Sequence, residues 1–547
     1  MKTDNGMSRN YTLIFVIVIS LLGAIAYANS IAGKFLWDDH DLIVNNLSIQ
    51  HWSMAAHLFT ESIGSGAGKT YAAYRPFQLL TYMIDHALWG SNSFGYHLTN
   101  VILHISAGLC IFWLITLMYK DGILAFITSA LFVTHPVHTE AVSYISGRAD
   151  PLALTLVLLA MIFYIRSIDA RGAYNFFAMI ICYAFSLLSR ESSIMVPVAI
   201  LFYHYAFNKR VAARSIVPLA GLACIYILIR CTVFRALFAQ DITVLPLHER
   251  VLGFLSALSS YARLLILPTG LHMEYGMRPP ALFGISALSG AALAGMAIVY
   301  CVSALARRRK DFFLFPVGWF FIMILPMSNM AYPINAYMAE HWLYMPSIGV
   351  FLMAAYVFRT AYSVGGAVRV IAACACVVMV SASTLLTIRQ NVYWNEPIAF
   401  YSRLLRYSPE SARAYNNLGI EYYKAGRYEE AIGLYEKALR IDPGYGEVSY
   451  NLGDAFRAMG RSSDAIGAYK KALEIDSHFI NIYNNLGITY ILTGQNEEAV
   501  RILSRGIVLD PGDPYLYNNI AIAYRNLGMM HEAIVNHNKA LELKKGR

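Results

Sequence analysis

The chain has 547 residues, 57% hydrophobic and only 14% charged, with a formal net charge of +9. Soluble globular domains carry about 25% charged residues, so a chain that is water-soluble throughout is excluded. Residues 412–547 hold 16 Lys and Arg against 16 Asp and Glu. The excess positive charge therefore lies upstream among the apolar runs. Lys and Arg on cytoplasmic loops explain it, and no nucleic-acid partner is implied.

The first apolar run, 11–32, follows Lys2 and Arg9. It is longer than the apolar region of a signal peptide, although Ala26-Tyr27-Ala28 resembles a small-residue cleavage site. We read it as an uncleaved first span. Further spans are expected at 96–118, 122–137, 150–166, 174–189, 193–207, 214–233, 282–306, 312–329, 343–361 and 368–388, eleven in all. The stretch 251–267 is apolar but interrupted by Ser259, Ser260 and Arg263, which marks it as interfacial or re-entrant. The seven cysteines, Cys110, Cys182, Cys224, Cys231, Cys301, Cys374 and Cys376, sit in hydrophobic segments. They form neither a disulfide framework nor a CxxC zinc pattern.

Charge bias sets the orientation. With a cytoplasmic N-terminus, the short cytoplasmic loops carry Lys120; Arg166 and Arg171; Lys209, Arg210 and Arg214; Arg307, Arg308, Arg309 and Lys310; and Arg359 and Arg369. That is the expected enrichment. An odd number of spans then places the C-terminal region outside, together with the polar loops 33–95, 136–150, 190–192, 234–281 and 330–342.

Those loops hold the residues suited to chemistry. Trp37-Asp38-Asp39-His40-Asp41 follows the first span, and carboxylates near a bilayer are costly enough to imply a use. Asp38 or Asp39 suits a general base, or a divalent metal site with His40; the alternative is a solvated loop cluster. Arg75-Pro76 stands later in the same loop, and His97, Asn100 and His104 share a helix face. Next come His135-Pro136-Val137-His138-Thr139-Glu140 and Ser146-Gly147-Arg148-Ala149-Asp150. HxxH on a proline turn is a weak zinc signature, whereas Arg148 suits bidentate phosphate recognition. Arg190 and Glu191 form a short outer turn, where Arg190 either meets a lipid phosphate or snorkels. Glu340-His341-Trp342-Leu343-Tyr344 closes the set, its aromatics also fitting an interfacial belt.

Beyond residue 411 the sequence repeats every 34 residues, marked by Asn417, Asn451, Asn485 and Asn519. Small residues (Gly419, Ala431, Ala465, Ala499) and Tyr435 and Tyr469 recur in phase. This matches the tetratricopeptide repeat (TPR), four copies of which form a curved solenoid with a concave groove. The asparagines either read an extended peptide backbone, since an amide donates and accepts at once, or make interhelical hydrogen bonds. The chain therefore reads as all-α: a polytopic membrane domain over 1–390, a linker or partial repeat over 391–411, and a TPR domain over 412–547.

Several of these motifs together resemble the transmembrane and TPR-containing O-mannosyltransferases, members of the GT-C class of glycosyltransferases. They are Trp37-Asp38-Asp39, Arg75-Pro76 with Thr81-Tyr82, His97-Leu98-Thr99-Asn100 with His104, the 134–150 segment, and Leu343-Tyr344-Met345-Pro346. The resemblance implies an enzyme that moves a sugar from a polyprenyl-phosphate carrier to a Ser or Thr hydroxyl of a protein at the outer membrane face. It implies Asp38 or Asp39 as catalytic base, and substrate contacts from Arg75, His135, His138, Glu140, Arg148, Asp150, Arg190, Glu340 and His341. It implies no metal or other cofactor, and peptide binding by the TPR groove. Glu340-His341-Trp342 departs from the Glu-Arg expected there. The small number of repeats points to a bacterial member, with the TPR domain in the periplasm (the lumen, were the membrane that of the endoplasmic reticulum). Two other readings remain at this stage: a GT-C enzyme acting on lipid or glycan with recruiting TPRs, and a non-enzymatic membrane scaffold or transporter.

Overall fold

The structure is a computed structural model. It describes residues 9–69, 71, 73–170, 173–211, 213–232, 245–276, 284–306, 312–330, 332–334 and 336–545. The expected cytoplasmic charges Lys2, Arg171, Arg307, Arg308, Arg309 and Lys310, and part of the outer loop 234–281, lie outside the described residues. The chain divides into two compact units, Met1–Glu396 and Pro397–Arg547. The described residues are helical and contain no strand.

The first unit holds α1 (Arg9–Tyr27), α2 (Pro76–Trp89), α3 (Ser93–Tyr119), α4 (Gly122–Thr134), α5 (Thr139–Val142), α6 (Ala149–Ala170), α7 (Ala173–Leu187), α8 (Val196–Ala206), α9 (Ala213–Thr232), α10 (Leu247–Ile266), α11 (Ile285–Ala306), α12 (Leu314–Ile324), α13 (Ser347–Val364) and α14 (Gly366–Asn395). Each of the eleven expected spans falls on a helix. Six helical stretches are long and apolar enough to cross a bilayer by themselves. A seventh requires α4 and the following Pro136–Val142 segment, bent by 55°, to act as one. The apolar stretches Ala173–Leu187, Ile216–Cys231 and Leu314–Met327 are shorter. The multi-pass character is thus clear, and the expected eleven crossings include helices shorter than a full span.

Local chemistry explains the breaks. Proline disfavours helical geometry in the residue before it, and His135 is extended (φ −77°, ψ 130°) ahead of Pro136. The His135 ring accepts the Val137 N–H instead. Asp121 caps α4 through the N–H groups of Ile123 and Leu124, and its other oxygen takes Arg359 Nε at 2.8 Å. Close helix approach uses small residues, as is common in membranes. A Cβ on Gly290 of α11 would lie 1.7 Å from the Leu255 carbonyl of α10.

The first outer loop is not loose. Single helical turns between residues 40 and 67 bury Leu42, Ile43, Ile49 and Leu58 against Tyr82 of α2, Tyr96 of α3 and Ile145. This small apolar cluster ties the loop to the membrane helices that it follows.

The second unit comprises α15 (Pro397–Tyr407), α16 (Ala412–Lys424), α17 (Tyr428–Ile441), α18 (Gly446–Ala458), α19 (Ser462–Ile475), α20 (Ile480–Leu492), α21 (Asn496–Leu509), α22 (Pro514–Asn526) and α23 (Met530–Lys545). Four helix pairs repeat in register. Gly426, Gly460, Gly494 and Gly528 turn each pair with φ of 74°, 73°, 77° and 79°, a left-handed conformation that glycine adopts without steric cost. A Cβ on Gly419 or Gly453 would press into Tyr435 or Tyr469, at 2.5 and 2.6 Å. The period therefore encodes helix-to-helix packing. Within 391–411, expected as a linker or partial repeat, α14 continues to Asn395, Glu396 is extended ahead of Pro397, and α15 follows.

Candidate active site

One short segment, 139–148, organises one end of the membrane unit. The proline break after α4 turns it back across the ends of α2 and α3. Asn100 of α3 donates to the carbonyls of Val142, Tyr144 and Ile145 at 3.2, 3.2 and 3.3 Å. Tyr82 Oη donates to the Ile145 carbonyl at 3.0 Å, and Gln78 Nε2 to that of Ser146 at 3.1 Å. Buried backbone is thereby satisfied by side chains rather than by a regular helix.

The segment receives the two aspartates. Asp39 is buried. Its Oδ1 accepts from Ser146 N at 2.8 Å and Ser146 Oγ at 2.5 Å, and its Oδ2 from Leu36 N at 2.9 Å. Burial pushes its pKa up to about 7; the hydrogen bonds from Ser146 and Leu36 pull the other way, and the Asp38 charge adds to the rise. The sign for stability follows from linkage. Between the ordinary value of 3.8 and about 7, the folded chain holds a proton that the unfolded chain releases. Raising pH through that window therefore removes stability. Asp38 is half-buried, and its N–H donates to Tyr144 Oη at 3.0 Å. The Tyr144 ring stacks on Trp394, with centroids 5.6 Å apart. Trp37, just before the pair, has φ +48°. Bulky side chains adopt this region at a cost of about 1–3 kcal/mol, so the surrounding contacts hold a strained turn at the aspartates.

Arg148, expected from the sequence to bind phosphate, sits inside the protein. Its guanidinium is fully buried and committed to the protein. It pairs with Asp85 Oδ2 at 2.5 Å and donates to Asn100 Oδ1 at 2.7 Å, the Tyr96 carbonyl at 2.9 Å and Thr81 Oγ1 at 3.2 Å. The Tyr82 ring covers it, 4.5 Å from centroid to Cζ. Arg148 is a positioning residue that binds α2 and α3 to the segment.

The two histidines, also expected to touch substrate, are buried. His135 Nε2 lies 3.2 Å from the Leu265 carbonyl. His138 bridges the Phe132 carbonyl at 2.9 Å and Ser347 Oγ at 3.1 Å. Glu340, also expected to touch substrate, is fully buried and accepts from His272 N at 2.5 Å and Tyr275 Oη at 2.6 Å. Among the described residues, no group of three or more His, Cys, Asp or Glu side chains is placed to hold a metal.

The remaining predicted residues form a charged strip. Both oxygens of Glu140 are taken by His341, Oε2 by its backbone N–H at 2.9 Å and Oε1 by Nδ1 at 2.7 Å. Arg190 pairs with Asp150 at 2.6 Å. Arg75 forks onto Glu191 with contacts of 3.1 and 3.0 Å, and Arg230 reaches the same carboxylate at 3.5 Å. Burial alone would raise Glu191, but Arg75 and Arg230 hold its pKa down to about 2. An apolar groove opens beside the strip. Its volume is about 760 Å³, lined by Met195, Phe202, Ala297, Gly318, Phe321 and Met330 among others. Met195 ends the turn that begins at Glu191.

Several site members escaped sequence reading. Ser146, Tyr144 and Asp85 act through partners more than 60 residues away. Asp85 carried one usable signal, an acid within a mostly apolar helix between two spans. In the second unit, the asparagine ladder is a brace between repeats. Asn451 Nδ2 donates to Asn416 Oδ1 at 2.9 Å, Asn485 Nδ2 to Tyr450 Oη at 2.9 Å and Asp454 Oδ1 at 2.8 Å, and Asn519 Nδ2 to Asn484 Oδ1 at 2.5 Å. Asn417 Oδ1 accepts from Asn416 Nδ2 at 3.4 Å. The donors of Asn451, Asn485 and Asn519, expected to read a peptide backbone, are already used inside the array.

Gly147 explains why the segment can fold so tightly. A Cβ there would lie 2.4 Å from the Glu140 carbonyl and 2.9 Å from Ala141 Cα. Gly147→Ala is expected to force the segment apart at a cost of about 1–3 kcal/mol. The check is a lowered thermal unfolding midpoint of the detergent-purified protein, and an unchanged midpoint would disprove the tight fit.

Tetratricopeptide-repeat family models match residues 412–445, 453–494, 482–515 and 514–546. The C-terminal unit is a TPR array. Similar curated proteins share the name protein O-mannosyl-transferase. "Protein O-mannosyl-transferase F38B6.6" of Caenorhabditis elegans is 25% identical over 420 residues, 74% of this chain and 59% of that protein. "Protein O-mannosyl-transferase Tmtc3" of Drosophila melanogaster is 25% identical over 512 residues, 78% and 54% respectively. "Protein O-mannosyl-transferase TMTC2" of Homo sapiens is 31% identical over 218 residues, 38% and 26%.

The chain is similar to these protein O-mannosyl-transferases. It spans 59% and 54% of the length of the worm and fly proteins. The crystal structure of MamA aligns at a TM-score of 0.27 with 28% identity, over 27% of this chain and 87% of that one, too low an agreement to argue from. What this chain brings together at one end of its membrane unit is an aspartate pair, an arginine-rich strip and an apolar groove.

Proposed function

We propose that this protein is a GT-C-type glycosyltransferase that moves a sugar from a polyprenyl-phosphate carrier to Ser or Thr hydroxyls of protein acceptors. The observation that carries this reading is Asp38, half-buried at the outer end of a multi-pass unit and built onto the segment that also anchors the charged strip. Asp38 takes the proton from the acceptor hydroxyl as that oxygen attacks the anomeric carbon. The bond from that carbon to the carrier phosphate oxygen breaks, and the phosphate leaves with the electron pair. Attack opposite the leaving group inverts the anomeric centre. Arg75 and Arg190 set a positive field beside the departing phosphate, and the apolar groove suits the carrier's hydrocarbon chain. A monophosphate leaving group with guanidiniums nearby requires no metal in this scheme.

The same reading puts the site and the TPR array on the outer face of the membrane, the periplasm for a bacterial inner membrane. Positive residues on the opposite loops support that orientation. The TPR array's concave surface holds the protein acceptor, a task for which repeat solenoids are shaped.

The test is transfer from a panel of radiolabelled polyprenyl-phosphate sugars by membranes containing the full chain. Label that is lost on protease digestion and released by β-elimination from Ser or Thr is the expected result. Label in the lipid fraction alone would favour the lipid- or glycan-modifying alternative. Absence of transfer from every donor in the panel would overturn the enzyme reading.

A further inference from the structure

We propose that the last helix pair of the TPR unit is a self-association surface, which takes a second copy of this chain with the two α23 helices antiparallel. Residue type and exposure disagree there. Met530, Ile534, His537 and Leu541 are spaced four, three and four residues apart, which places them on one face of α23. Ile534 is 57% exposed, Met530 56% and Leu541 46%. The position of Ile534 holds Ile432, Ile466 and Val500 in the earlier repeats, and that of Leu541 holds Leu439, Leu473 and Ile507. All six pack in the repeat core, where α18, α20 and α22 lie against α17, α19 and α21. The face of α23 keeps the same apolar positions and is uncovered among the described residues. A repeat whose outer face meets water needs that face polar, and this one is apolar.

The face is also grooved. About 410 Å³ opens between α22 and α23, lined by Asn518 and Ala521 of the first and Met530 and Ile534 of the second, among others. Asn518 marks this as the side on which a following helix docks. Its counterparts Asn416 and Asn484 accept from Asn451 and Asn519 of the next repeat, at 2.9 and 2.5 Å. What fits such a groove is a helix with an apolar stripe. The α23 of a second copy offers one, so a single surface supplies both groove and stripe, as a two-fold interface demands. Charge sets the direction. Glu532 stands in the first turn of α23, and Lys544 and Lys545 in its last. Antiparallel packing sets the acidic turn of one copy against the basic turn of the other, whereas parallel packing sets like charges together. The helix dipoles favour the antiparallel pair as well.

Two measurements on the full chain test this. The first is protein mass by light scattering after size exclusion in detergent, across a dilution series. Wild type is expected to be a dimer. Ile534→Glu brings a carboxylate from each copy into the interface and should raise the dissociation constant about 10²-fold or more. Its helical content should be unchanged, since Ile534 is exposed in the single chain. Val508→Glu, at an exposed apolar residue of α21, should leave the dimer intact. The second measurement is oxidative cross-linking in membranes, with the native cysteines alone as background. The two-fold axis crosses the stripe near its midpoint, His537. His537→Cys should therefore form a covalent dimer. Met530→Cys places its two thiols about 20 Å apart along the helices, too far for a disulfide. Cross-linking by both variants, as a parallel pair would give, overturns the antiparallel arrangement. A monomeric wild type, or a dimer indifferent to Ile534→Glu, overturns the proposal. So does a His537→Cys adduct of any mass other than two chains, which would assign the face to a different protein.

Discussion

Asp38→Asn is expected to lower sugar transfer by about 10²–10⁴-fold, the usual contribution of a positioned general base, while leaving the fold intact. Two arguments compete over which aspartate is the base. The raised pKa of Asp39, about 7, is the value that suits proton abstraction at neutral pH. Its geometry is against it. Both of its oxygens are occupied by Ser146 and Leu36, and the side chain is buried. Geometry comes first for a proton transfer, so on the proposed reading the half-buried Asp38 is assigned as the base, with Asp39 holding the strained turn after Trp37. Asp39→Asn would turn an amide NH₂ toward N–H donors, or rotate it and lose an acceptor. A destabilisation of about 1–3 kcal/mol follows. The decisive data are transfer rate and thermal midpoint for each variant. Loss of transfer in a stably folded Asp39→Asn, with Asp38→Asn active, would reverse the assignment.

Arg148→Met is expected to destabilise the protein by about 3–5 kcal/mol, because it leaves Asp85 buried without its cation. The effect should exceed that of removing any exposed ion pair in the chain, such as Arg461–Asp464 in the TPR unit, where exposed pairs contribute about 0.2–1 kcal/mol. Asp85→Asn combined with Arg148→Met should recover part of the loss, since the remaining groups are neutral. A double-mutant cycle on thermal or denaturant unfolding measures this coupling. Additive losses from the two single variants would show that the buried pair does not act as a unit. Transfer by the double variant separates a positioning role from a phosphate contact. Partial recovery of stability with transfer is expected from positioning alone.

What could be read from the sequence was what has a period or a length. Runs of apolar residues located the membrane helices, because a bilayer sets a minimum helix length. A 34-residue spacing located the TPR array, because each repeat packs on the next through the same small residues, Gly419 and Ala431 for example. The placing of Asp38, Asp39, Glu140, Arg190 and His341 between apolar segments was also visible.

Partner identity was not visible. Arg148 looked like a phosphate ligand by residue type, and only the fold brings Asp85 within 2.5 Å of it. His135 and His138 looked like ligands, but the proline turn aims them at backbone carbonyls. The asparagine ladder had the right spacing for a peptide, yet neighbouring repeats use its amides first. Asp38 and Asp39 are adjacent in sequence, yet Asp39 is buried and takes the N–H groups of Leu36 and Ser146 and the Ser146 hydroxyl, whereas Asp38 is half-buried with its backbone N–H on Tyr144. Sequence by itself determined the periodic elements, because those follow from local spacing and from the bilayer. Only the tertiary structure decided which partners those residues meet, because a side chain's hydrogen bonds are set by groups distant along the chain.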